Sequence, residues 1–96
     1  MTAAQMKQTV ALNTEVVFKW SGFHNVYELS DKKAFDACDF SKAKALASHN
    51  QGPFTYKASS AGIVYFACKV GGHCSSKQKL ALTVTGNVLL LTFLFP

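Results

Sequence analysis

Apolar and polar residues alternate with a period of two along several short stretches, which is the pattern of strands with one buried face. In residues 16–20, Val16, Phe18 and Trp20 share one face, while Val17 and Lys19 share the other. Trp20 is thereby expected in the core. Leu80, Leu82 and Val84 alternate with Ala81 and Thr83, giving a last strand that closes at Gly86. Gly62–Ala67 is instead a continuous apolar, β-branched and aromatic run, as expected of a buried strand that delivers Cys68 to the loop. Residues 25–29 and 54–57 also read as extended. A further short strand is expected over residues 9–12, with Asn13-Thr14 as a turn. Residues 21–22, 30–33, 49–53 and 59–62 supply the remaining turns.

The pattern changes in the middle of the chain. Ser41 suits an N-cap, and the Ala, Lys and Leu that follow are good helix formers, so a short helix is expected over residues 42–47. Residues 1–8 are polar without periodicity and are expected to be poorly ordered. That leaves one domain over residues 9–85 and an apolar tail over residues 86–96. Val88 to Phe95 is almost wholly apolar, but a membrane span needs about 20 such residues. Three readings stand: an extra strand on the domain, the remnant of a membrane-anchor signal, or a foreign end. Short strands separated by turns, with one helical insertion, predict an all-β sandwich of two sheets.

Composition narrows the class. The chain has 96 residues, 49% of them hydrophobic and 16% charged, which suits a single folded domain with one core. The net charge of +5 rests on lysine alone, since arginine is absent. Nucleic-acid binding would call for arginine and a clustered basic stripe, so it is set aside. The 3 cysteines are an odd number. One bridge and one metal bond would use them all, and a bridge implies an oxidising compartment. The first ten residues nevertheless lack the layout of a signal peptide, so the chain reads as a processed, engineered or partial form.

Candidate chemistry lies in residues 68–78. Cys68, His73 and Gln78 are evenly spaced, with Gly71-Gly72 in the first gap where the loop must fold back. A thiolate with an imidazole is a mixture that copper accepts. A trigonal His₂Cys set with a weak axial oxygen or sulfur makes a blue-copper electron-transfer centre. The second imidazole would come from His24, in Phe23-His24-Asn25-Val26. Taken singly, each residue has a plainer reading. A lone His24 is usually a satisfied core or surface histidine, and a lone Cys68 a small buried hydrophobe. Their joint spacing favours the metal. His49, in a polar turn without evident partners, is read as a surface residue.

Val17-Phe18-Lys19-Trp20, His24-Asn25-Val26, Cys38, Tyr65-Phe66-Ala67-Cys68 and Gly72-His73-Cys74 with Gln78 together resemble the phytocyanins, plant-type blue copper proteins. The resemblance runs from about Thr9 to Thr85. It implies a cupredoxin-like Greek-key sandwich binding one type 1 copper ion. His24, Cys68 and His73 would be the equatorial ligands and Gln78 the axial one, glutamine there being the mark of stellacyanins. It also implies a Cys38–Cys74 disulfide and a supporting role for the Asn25 backbone at the cysteine sulfur. Function would be one-electron transfer, not catalysis, by a secreted or cell-surface monomer. The partner would be a redox protein or a small-molecule reductant, and a membrane anchor is the remaining association considered. A copper-free binding or structural domain of the nodulin-like type is the alternative, although such relatives lose the ligands. A multi-copper oxidase fragment is disfavoured because paired His-x-His motifs are missing. Two departures stand out. Residues 1–8 cannot supply the family's glycine-rich first strand, so a sheet edge is expected to be vacant or filled differently. Lys77 and Lys79 flank Gln78, giving the metal end an unusually basic character.

Overall fold

The structure, a computed structural model, describes residues 7–86. Its strands are β1 (Lys7–Ala11), β2 (Glu15–Phe18), β3 (Val26–Leu29), β4 (Lys44–Ala47), β5 (Phe54–Lys57), β6 (Gly62–Ala67) and β7 (Lys79–Thr85). Among the described residues one α-helix, α1 (Lys32–Ala37), lies between β3 and β4, and a 3-10 turn over His49–Gln51 follows β4. The continuous apolar run of β6 takes the central place in a five-stranded sheet ordered β1-β7-β6-β3-β4. Within that sheet β1 joins β7 in parallel and every other neighbouring pair is antiparallel. Among the described residues the second sheet consists of β2 and β5, paired antiparallel from Glu15 opposite Lys57 to Phe18 opposite Phe54.

Alternation along the strands divides the interior into two layers. Phe66, Leu80, Leu82 and Val84 point from the large sheet toward Phe18, with Val16, Phe54 and Tyr56 of the small sheet packed against the same cluster. Their neighbours Tyr65, Ala67 and Ala81 face the opposite way and meet Ala34 and Phe35 of α1. The second half of the central strand, Tyr65 to Ala67, is therefore covered on both faces, while Gly62 and Ile63 at its start are exposed despite the unbroken apolar sequence. Phe66 and Leu82 are wholly buried, and each such burial stabilises the fold by about 1.5–3 kcal/mol.

The helix does not form where propensity placed it. Residues 44–47 make strand β4, and α1 begins inside the segment 30–33 read as a turn and runs on to Ala37. Helix propensity is a weak prior, and six residues of Ala, Lys and Leu cannot offset helix nucleation without a partner surface. Extended, the same residues pair with the free edge of β3, Ala47 opposite Val26 and Lys44 opposite Glu28. For α1, the Asp31 side chain accepts a hydrogen bond from the Ala34 amide at 2.9 Å, and Ala34 and Phe35 bury their side chains. Cys38, in the left-handed conformation, ends it.

The first strand begins at Lys7, two residues earlier than expected from the sequence. Val88 to Phe95, with its competing readings as strand or anchor, lies outside the described residues, as do residues 1–6. Among the described residues no helix is long and apolar enough to cross a membrane.

Candidate metal centre

Strand β6 ends at Ala67 and delivers Cys68, fully buried, to the head of a loop. The loop closes on itself because the Cys68 amide donates to the Gln78 carbonyl at 3.0 Å and the Gln78 amide donates to the His73 carbonyl at 2.9 Å. Between them the His73 amide donates to the Val70 carbonyl at 2.9 Å. Gly71 takes a positive φ of 47°, which a glycine adopts without strain. The turn it makes swings His73 back over Cys68.

His24 arrives from the segment joining β2 to β3, some 44 residues away in sequence. Its Nδ1 lies 3.7 Å from the Cys68 Sγ, and the His73 Nδ1 lies 3.3 Å from the same sulfur. The three donor atoms all fall within 4.8 Å of one another. Donors about 2.0–2.3 Å from one ion stand about 3.3–3.8 Å apart at near-trigonal angles, so the sulfur–nitrogen spacings fit a shared metal. The softness of the set, one sulfur and two imidazoles, suits copper. Burial, and then the nearby His73, hold the His24 imidazole below its ordinary pKa. That keeps it neutral, the state in which a ring nitrogen can ligate.

Gln78 lines a 240 Å³ cavity together with His24, Asn25, Trp20 and Lys19. The contact shown by Asn25 is through its side chain: Oδ1 accepts a hydrogen bond from the Lys69 amide at 2.7 Å. Cys38 and Cys74 form a disulfide, with Cα atoms 5.9 Å apart, that ties the end of α1 to the residue beside His73. Thus all three cysteines have the places their number suggested, and Cys68 is the free thiol.

Three features were not legible in the sequence. Lys79 does not add to the surface charge of the metal end. It is 7% exposed, and its Nζ donates to the Phe35 carbonyl at 2.8 Å while lying 4.5 Å from the centre of the Phe35 ring. His49 is exposed but has partners: its ring stacks on Phe23 at 3.9 Å, and its carbonyl accepts from the Trp20 indole at 3.0 Å. Trp20 is half-buried and packs on Gly52, where an added Cβ would come within 2.8 Å of the indole.

A buried cysteine between two imidazoles, at the loop end of a two-sheet sandwich, defines a cupredoxin-type domain. Comparison with known proteins agrees. Residues 4–78 match the model of the plastocyanin-like domain, and the chain belongs to that family, among the phytocyanin cupredoxins. It is 39% identical over 61 residues to the cucumber peeling cupredoxin of Cucumis sativus, covering 64% of this chain and 44% of that protein. It is 33% identical over 78 residues to a blue copper protein of Arabidopsis thaliana, covering 80% of this chain and 38% of that one. The chain therefore spans less than half the length of these two relatives. A solved structure of cucumber stellacyanin with Cu²⁺ superposes with a TM-score of 0.73 at 31% identity, over 84% of this chain and 74% of that one.

Proposed function

We propose that this domain is a one-electron carrier built on a type 1 copper site, and that it is not an enzyme. The observation that carries the reading is the donor set of His24, Cys68 and His73 gathered within 4.8 Å, with the cysteine buried. Copper, when bound, supplies a one-electron couple between Cu(II) and Cu(I). Everything else falls to the chain. Cys68 offers its sulfur, screened from water, and His24 and His73 offer imidazole nitrogens. Gln78, on the cavity shared with His24, is assigned the weak axial oxygen. The loop hydrogen bonds and the Asn25 contact hold these donors by means of the fold, so little need rearrange when the charge of the site changes. An amide oxygen favours the harder oxidised ion more than a thioether does, which places the potential toward the low end for such sites. The partly exposed His73 imidazole offers the electron a route to the surface. A disulfide beside the site suits an oxidising compartment, at the cell surface or outside it, where a redox protein or small reductant would exchange the electron.

Titration with Cu(II) followed by visible absorption tests this. One equivalent should raise an intense thiolate-to-copper band, and Cys68→Ser should remove it while leaving the fold intact by circular dichroism. A native protein that binds copper without the band, or a blue Cys68→Ser protein, would overturn the assignment.

A further inference from the structure

Next to the ligand His24 stands Phe23, 56% exposed, an unusual place for a phenylalanine. Its ring stacks on that of His49 at 3.9 Å with the planes 21° apart, so the two form one aromatic ridge on the surface. A groove lies on each side. One is lined by Lys19, Trp20, Gly22, His49 and Pro53. The other is lined by Phe23, Asn25, Tyr27, Ala47 and His49. Each has one exposed ammonium at its border: Lys19 lines the first, and the Lys69 Nζ lies 5.3 Å from the Tyr27 ring that lines the second. Segments 19–25, 48–53 and 68–78, which build this end of the molecule, contain three lysines and no acidic residue. Four of the five carboxylates lie on β2, before or within α1, or just after it, and the fifth, Glu28, is in mid-β3.

We propose that this ridge is a docking surface for an acidic protein partner, one that sets an apolar spot against Phe23 and His49 and carboxylates against Lys19 and Lys69. The inference rests on the electron-carrier reading and adds to it the chemistry of the partner. Aromatic side chains inside a polar rim are the arrangement that protein interfaces favour, and charge complementarity speeds encounter without requiring tight binding. A surface beside His24 would bring the partner close to a ligand of the metal. That proximity suits electron exchange.

The test uses the copper-loaded, reduced protein, which is diamagnetic, and a probe peptide of sequence Glu-Glu-Trp-Glu-Glu, with Lys-Lys-Trp-Lys-Lys as its opposite. Amide shifts in a nitrogen-15 titration should cluster on Lys19, Phe23, Tyr27, His49 and Lys69 with the acidic peptide and stay still with the basic one. Lys19→Gln with Lys69→Gln should weaken the acidic peptide about fivefold at low salt, an effect that high salt removes. Lys33→Gln with Lys57→Gln, which lowers the net charge equally at sites away from the ridge, should change it far less. Phe23→Ser should weaken binding even at high salt; its folding is checked by the charge-transfer band of its oxidised form. Shifts spread over the whole surface, or equal losses from both lysine pairs, would overturn the proposal. A protein that shows the thiolate–copper band but ignores the peptide refutes the docking surface alone. One without the band refutes the carrier reading, whatever the peptide does.

Discussion

The side-chain carbonyl of Asn25 accepts a hydrogen bond from the Lys69 amide at 2.7 Å. Each residue lies directly beyond a metal-site residue, Asn25 after His24 and Lys69 after Cys68. This one bond therefore fixes the spacing between an imidazole and a thiol brought from distant parts of the chain. Because the bond is exposed, water can replace it in a variant, and the fold should lose only about 1 kcal/mol in Asn25→Ala. The site should suffer more. Copper affinity is expected to fall about 10–100-fold, measured by competition with a chelator. Equal affinity in the variant would show that the contact does not position the donors.

Replacing the assigned axial residue tests its role separately. In Gln78→Met a thioether takes the place of an amide oxygen and favours Cu(I), so voltammetry should record a higher reduction potential. An unchanged or lower potential would remove Gln78 from the ligand set.

The Cys38–Cys74 bridge closes a loop with a sequence separation of 36. In the chain-entropy account, a loop of that length contributes about 3–4 kcal/mol by restricting the unfolded chain. Cys38→Ala with Cys74→Ala should lower the unfolding free energy in urea by an amount of that order. A loss under about 1 kcal/mol would mean that the unfolded chain is already restricted there.

Lys79 holds the end of α1 against the strand that follows the ligand loop. Lys79→Met keeps the apolar stem and loses the donor, leaving the Phe35 carbonyl without its partner. The expected cost is about 1–3 kcal/mol, seen as a lower denaturation midpoint with the slope unchanged. Burial disfavours the ammonium and lowers its pKa, so a Lys79→Met protein as stable as the native one would show that desolvation cancels the hydrogen bond.

Alternation and composition reported the strands well, because both record what a side chain must face. Phe18 on one side and Val17 on the other mark a half-buried strand, and the unbroken apolar run of β6 marks one whose second half is buried. The candidate donor cluster was legible for a related reason. Cys68 and His73 lie in one short loop, where sequence spacing brings them together, and His24 had to come from elsewhere. Local signals failed where a partner decides the outcome. Residues 44–47 are helix formers by propensity, but the free edge of β3 draws them into a sheet. Asp31 caps a helix that exists because Ala34 and Phe35 find cover on the back of β6. Nothing near Lys79 in sequence announces the Phe35 carbonyl 44 residues away, and nothing near His49 announces Phe23 or the Trp20 indole. What the chain determines by itself is therefore the burial of each strand and the chemistry of one loop. Strand pairing, the place of the helix and the aromatic ridge beside the metal site depend on contacts between distant residues, whose energies no local pattern contains.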